Sequence, residues 1–141
     1  MYLTILVALE NTETDRTILT HIRPLAKLCG SSIVLMHVAD GFAARTQQAL
    51  NLQDSEEMIA DRAYLERCRK DLQAEGFSAA CELGTGDPAS ALVLHAEKIK
   101  ADLIAMATHG HGLINDVLRG SVASEVRHKT SIPVLLVRAV R

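Results

Sequence analysis

The sequence predicts a doubly wound α/β domain, and three observations predict it. Apolar runs that read as strands alternate with stretches of helical periodicity along the whole chain, in the order βαβαβαβαβ. Most of the runs are nearly continuous rather than alternating, which marks strands buried on both faces, as parallel strands are. No repeat, linker or low-complexity segment breaks the order, so residues 1–141 read as one domain, a parallel sheet with helices on both faces.

Residues 3–9, Leu-Thr-Ile-Leu-Val-Ala-Leu, form the first apolar run. Glu10, Asn11 and Thr12 make a polar turn able to cap a helix, and Ile18, Leu19, Ile22, Leu25, Ala26 and Cys29 then recur at helical spacing. Gly30 suits the position just past that helix, and Pro24 inside it predicts a bend. Residues 32–38 are the second strand. The polar stretch 39–53, with Gly41 early in it, is too long for a tight connection and reads as a surface loop or short helix beside a binding site.

Asp54 and Glu57 match a capping box, and the second long helix continues through Met58, Leu65, Cys68 and Leu72 to Gly76. Residues 79–83 are a weaker third strand. The segment Gly84-Thr85-Gly86-Asp87-Pro88 gives a turn, an aspartate cap and a proline at the first helical position. Leu92, Val93, Ala96 and Ile99 form the inner face of the next helix, residues 102–106 the fourth strand, and residues 132–137 the fifth, with Pro133 at its tolerant beginning.

Between the fourth and fifth strands lies Met106-Ala107-Thr108-His109-Gly110-His111-Gly112, then Leu118-Arg119-Gly120-Ser121-Val122-Ala123, where the pattern Val122, Ala123, Val126 predicts a helix start. Glycines let a ligand approach bare N–H groups, and a helix start presents unpaired N–H groups and a positive dipole end. Together these predict a phosphate site. A turn plus a cap explains one glycine and one serine, and does not easily explain three glycines beside a parallel-strand end. Arg119 either reaches phosphate or is solvated.

His109 and His111 make a poor zinc set with no cysteine or clear carboxylate nearby; His109 reads better as a phosphate hydrogen-bond donor or a loop brace. His37 reads as a satisfied strand-end residue, and His21, His95 and His128 as surface positions. No GxSxG nucleophile elbow and no Walker A run is present, and Asp116 has no evident partner, so the chain is expected not to be an enzyme.

Composition narrows the partners. Hydrophobic residues are 48% and charged residues 23%, with a net charge of −2 and no basic block, which argues against nucleic-acid and membrane-surface binding. With no Trp, two Phe and two Tyr, a base-stacking platform is not expected. Cys29, Cys68 and Cys81 are dispersed and odd in number, as reduced cytosolic thiols are. No stretch has transmembrane length and Met1-Tyr2-Leu3-Thr4 lacks a basic leader, so a cytoplasmic location is expected.

The chain resembles the universal stress protein family over its whole length. The resemblance is carried by residues 5–9, Leu35-Met36-His37-Val38, Gly86-Asp87-Pro88, residues 102–110, Gly120-Ser121-Val122-Ala123 and residues 132–137. The family's nucleotide-binding branch carries Gly, two residues, Gly, nine residues, Gly and Ser or Thr; Gly110 and Gly120-Ser121 fit that spacing and Ala107 replaces the first glycine. The resemblance implies a five-stranded sheet in order 3-2-1-4-5 and an ATP site between strands one and four, with Mg²⁺ at most an accessory. Carried over by position, Ala8, Leu9, Glu10 and Val38 would lie by the adenine. Met106, Ala107, His109 and Gly110 would meet ribose and phosphate, and Gly120, Ser121, Val122 and Ala123 would close over the phosphates.

It also implies a homodimer through Val134, Leu135, Leu136 and Val137. Three departures bear on the site: Glu10 stands where the family usually has Asp, Ala107 adds a methyl group, and Ala123 lacks a hydroxyl. The expectation is a small stress-response protein that binds ATP or a related adenine nucleotide. The alternatives are an interaction module of the same fold acting through its dimer surface, and a slow ATP hydrolase.

Overall fold

The order of strands in the sheet is β3-β2-β1-β4-β5, and every neighbouring pair is parallel. This computed structural model describes residues 1–39, 56–109 and 114–139, with side chains except those of 109 and 114–121. The strands are β1 (Thr4–Ala8), β2 (Ser32–Ala39), β3 (Ser78–Thr85), β4 (Leu103–His109) and β5 (Val134–Ala139). The helices are α1 (Thr14–Cys29), α2 (Glu56–Ala74), α3 (Pro88–Lys98) and α4 (Ile114–Lys129).

Alternation along β1 explains why its sequence is apolar throughout. Ile5 and Val7 face one layer, where they pack with Ile18, Leu19 and Ile22 of α1 and Leu65 and Leu72 of α2. Leu6 faces the other layer and packs with Leu92, Val93 and Ala96 of α3 and Ala123 and Val126 of α4. Ile5, Leu6 and Val7 have no exposed surface, as a strand covered by helices on both faces requires. The central pair is joined at its N-terminal end by Asp102: its Oδ2 accepts from Leu3 N–H at 2.8 Å and its Oδ1 from Thr4 N–H at 3.0 Å.

Several boundaries differ from the sequence reading. The turn 10–12 does not supply the α1 cap: the cap position is Glu13, in helical geometry and without a side-chain bond. The carboxylate of Asp15, in the first turn, ties that loop instead. Gly30 ends α1 in the left-handed region, at φ 68°, and Pro24 falls inside the helix without ending it. Strand β3 takes in Gly84 and Thr85, so the turn begins only at Gly86, where φ is +98°. Asp87 caps α3 as expected, its Oδ2 accepting from Ser90 N–H at 3.0 Å, with Pro88 in the first turn. Hydrogen bonds from Ser90 hold the Asp87 carboxyl below its ordinary range.

The largest correction concerns the glycine segment. Strand β4 runs on through Ala107 and Thr108 to His109, because Thr108 and His109 pair with Arg138 and Ala139 of β5. Helix α4 begins at Ile114, so Gly120 and Ser121 lie within it rather than at its N-terminus. A glycine inside a helix costs about 1 kcal/mol relative to alanine, which packing offsets, and a reading from pattern alone takes it for a boundary. Gly41, Asp54, Gly110, His111 and Gly112 lie outside the described residues.

Candidate functional site

The strand order reverses direction at β1, and parallel sheets bind ligands beyond the C-terminal strand ends at such a point. A cavity of about 330 Å³ lies there. Three strand ends contribute to it: Ala8 and Leu9 with Glu10 from β1, Met36, His37 and Val38 from β2, and Met106 and Ala107 from β4. Thr12 of the loop, Pro88 and Leu92 of α3 and Val122 and Ala123 of α4 complete the lining. The volume lies in the range of small-molecule sites, and apolar walls with a few polar groups are what such sites are made of.

Eight of the twelve residues expected at the site share this lining: Ala8, Leu9, Glu10, Val38, Met106, Ala107, Val122 and Ala123. His109 is the last residue of β4, and Gly120 and Ser121 belong to the backbone of α4. Gly110 is outside the described residues. The sequence reading missed Thr12, Met36, His37 and Leu92; Pro88, read most simply as a first-turn proline and alternatively as near the ribose, is in the lining too. Pro88 and Leu92 stand four residues apart, one helical turn, so the inner face of α3 was a usable signal for them. Met36 and His37 precede Val38 at the same strand end.

The wall on the β2–β3 side depends on an absent side chain. Gly84 pairs with Val38, and a Cβ built on it would stand 2.7 Å from Met36 Cε and 3.6 Å from Val38 Cγ2. Glycine there lets Met36 occupy the space between β3 and the cavity.

The polar rim is held from below by two carboxylates that lie almost entirely out of solvent. Asp15 is 2% exposed and Asp61, on α2, is 6% exposed. Asp15 Oδ1 accepts from Glu10 N–H at 2.9 Å, and its Oδ2 accepts from Asn11 N–H at 2.9 Å and from Tyr64 O–H at 2.6 Å. Burial, then the hydrogen bond to Asp15 and its charge, push the Tyr64 hydroxyl well above the ordinary phenol range, so it stays a donor. Asp61 Oδ1 accepts from Asn11 Nδ2 at 2.8 Å, and its Oδ2 lies 3.4 Å from His37 Nε2. His37 Nδ1 is 2.9 Å from the Leu9 carbonyl oxygen, so that nitrogen donates. Both ring nitrogens of His37 therefore face protein partners. As expected from its strand-end position, the ring is satisfied.

The Glu10 carboxylate sits at the rim, with its Oε2 accepting from Thr14 Oγ1 at 3.1 Å. Among the described residues no group of three or more His, Cys, Asp or Glu side chains is arranged to hold a metal ion.

A doubly wound parallel sheet with a cavity at its switch point places the chain among the α/β folds that hold small ligands at that end of the sheet. The profile of the universal stress protein family matches residues 1–138, and the chain belongs to that family. It is 26% identical to the universal stress protein MJ0577 of Methanocaldococcus jannaschii, over 98% of this chain and 96% of that protein. The solved structure of MJ0577 superposes with a TM-score of 0.83 at 28% identity, covering 100% of this chain and 99% of the other. A universal stress protein of Archaeoglobus fulgidus, solved in complex with dAMP, has the same fold: TM-score 0.70 and 21% identity over 96% of this chain and 97% of the other. A universal stress protein solved with cAMP gives 0.71 and 20% over 96% of each chain.

Proposed function

We propose that the chain binds an adenine nucleotide, ATP or a close relative, in the cavity between β1 and β4. The observation that carries this reading is that residues 8–10, 38, 106–107 and 122–123, chosen from the family pattern, line one cavity of suitable size. Structures of the same fold in complex with dAMP and cAMP support an adenine ligand. The apolar walls from Val38, Met36, Met106 and Leu92 suit a flat base, and the Gly110 and Gly120-Ser121 spacing assigns the phosphates to the β4–α4 side. Mg²⁺ is at most an accessory there.

Binding without turnover is the expected activity. A general base needs a free nitrogen or oxygen within reach of its substrate. His37 lines the cavity, but its Nδ1 and Nε2 are directed at Leu9 and Asp61. The proposed protein is a cytoplasmic regulator that responds to the nucleotide and acts as a homodimer through β5. No helix among the described residues is long and apolar enough to cross a membrane. A second reading, an interaction module with an idle pocket, is favoured by Ala107, which lines the cavity at a position where the nucleotide-binding pattern has glycine.

Calorimetric titration of ligand-free protein with ATP and GTP separates the two. Heat from ATP at micromolar to millimolar concentration is expected, and its absence up to millimolar ATP sinks the nucleotide reading. Gly120→Val is expected to lose ATP-induced thermal stabilisation while circular dichroism stays native; unchanged affinity would place the phosphates elsewhere.

A further inference from the structure

We propose that Asp61 of α2 is a positioning residue: its carboxylate holds the loop 9–12 in the shape that forms one side of the nucleotide cavity. The link to the nucleotide rests on the function proposed above; the hold on the loop does not.

A carboxylate that is 6% exposed is expensive to bury unless it is paired. Asp61 stands on the inward face of α2 with Met58, Leu65 and Leu72, where an apolar side chain would serve packing alone. Its two partners come from two other elements, Asn11 in the loop and His37 at the end of β2. Neither contact fastens α2 to its nearest strand, β3. Both act on the rim of the cavity.

Asn11 needs holding. Its φ is +60°, a left-handed conformation that non-glycine residues adopt at a cost. Its N–H is bound by Asp15 and its side-chain amide by Asp61, so two carboxylates from two helices fix one residue. His37 carries the second arm: Nδ1 donates to the Leu9 carbonyl, and in the imidazolium form the Nε2–H, 3.4 Å from Asp61 Oδ2, is attracted to that carboxylate as well. Leu9 and Thr12, on either side of Glu10 and Asn11, line the cavity, and Asp61 itself does not. Asp61 therefore acts on a ligand only through residues it positions.

The test compares Asp61→Ala, Asp61→Asn and Leu65→Ala, with Asn11→Gly as a milder second break that tolerates the positive φ. Two quantities are measured on each folded variant: amide hydrogen exchange of Glu10, Asn11 and Thr12 without ligand, and ATP affinity by calorimetry. Asp61→Ala is expected to speed exchange at these amides at least tenfold and to weaken ATP at least tenfold. Asp61→Asn keeps an oxygen for Asn11 and gains an N–H for the acceptor form of His37 Nε2, so it should restore both to within about threefold of wild type. Leu65→Ala should lower Tm and leave both unchanged, and Asn11→Gly should weaken ATP several-fold.

Wild-type exchange and affinity in Asp61→Ala would overturn the proposal, as would an equal loss in Leu65→Ala, which would assign the effect to helix packing. If the wild type binds no ATP, the nucleotide function falls, and the exchange comparison alone decides whether Asp61 holds the loop.

Discussion

Gly84 is the residue at which a single methyl group has the clearest expected effect on the cavity. The atom it would strike, Met36 Cε, is the free end of a flexible side chain, so the fold can accommodate it. Gly84→Ala should change stability by less than about 1 kcal/mol and push Met36 into the cavity. A several-fold loss of ATP affinity with Tm nearly unchanged is the expected pair of results, read by calorimetry and thermal melts. Asp102 has a different kind of leverage. Burial pushes its pKa up, but the N–H groups of Leu3, Thr4 and Asp102 itself, with the positive N-terminus, outweigh that and hold the carboxyl below its ordinary value. A depressed carboxyl stabilises the fold above the unfolded pKa of about 3.9 and loses that contribution as pH falls through the folded value. Asp102→Asn should therefore lower stability at pH 7, modestly because solvent screens so open a carboxylate, and the gap to wild type should close as urea melts are taken below about pH 4. Neither role was legible in the sequence. Gly84 read as a turn residue because its strand pairing with Val38 depends on a distant segment, and Asp102 read only as the first residue of the fourth strand, which begins at Leu103.

At the scale of elements, strand and helix identities followed from periodicity, while their ends followed from neighbours. The start of helix α3 was legible to the residue, since Asp87 and Pro88 act locally on their own backbone. Strand β4 was not, because His109 stays extended through pairing with Ala139, thirty residues on. Helix α4 hid its start at Ile114 behind Gly120, so Gly120 and Ser121 are not at a helix N-terminus, while Val122 and Ala123 line the cavity. The seam between α2 and β3 carries a chemical prediction. Cys81 Sγ donates to Glu66 Oε1 at 3.0 Å. Burial, then this bond and the charge of Glu66, raise the thiol to about 11. At pH 8 only about one part in a thousand would be thiolate. Cys81 should accordingly alkylate far more slowly with iodoacetamide than a free cysteine, as peptide mass spectrometry would measure; rapid labelling at pH 8 would contradict the seam.

For the whole molecule, the sheet order makes β5 an edge strand, and an apolar edge invites pairing with another chain. The two faces of β5 differ. Leu135 and Val137 pack with the core under α1 and α2, and Val134 with the core under α3 and α4, while Leu136 is 39% exposed. The proposed homodimer therefore assigns different outcomes to two neighbouring substitutions. Leu136→Asp should give a folded monomer in sedimentation, and Leu135→Asp should lower stability by about 2 kcal/mol or more. A wild type that sediments as a monomer at tens of micromolar would mean the edge is protected in some other way.

The hydrogen bonds from Leu3 and Thr4 to Asp102 also bear on when the cavity comes into being. They close a separation of 99 and 98 residues, and the β1–β4 pairing they accompany has a similar span. Contacts of such range are among the slow steps of assembly, since the chain must give up most of its freedom before they form. The cavity needs the ends of β1, β2 and β4 together, so it is absent until that late pairing is made. A ligand that recognises all three ends would leave the rate of folding untouched and would act on the native state alone, as a brake on unfolding. Occupancy by nucleotide would then lengthen the lifetime of finished molecules without helping unfinished ones.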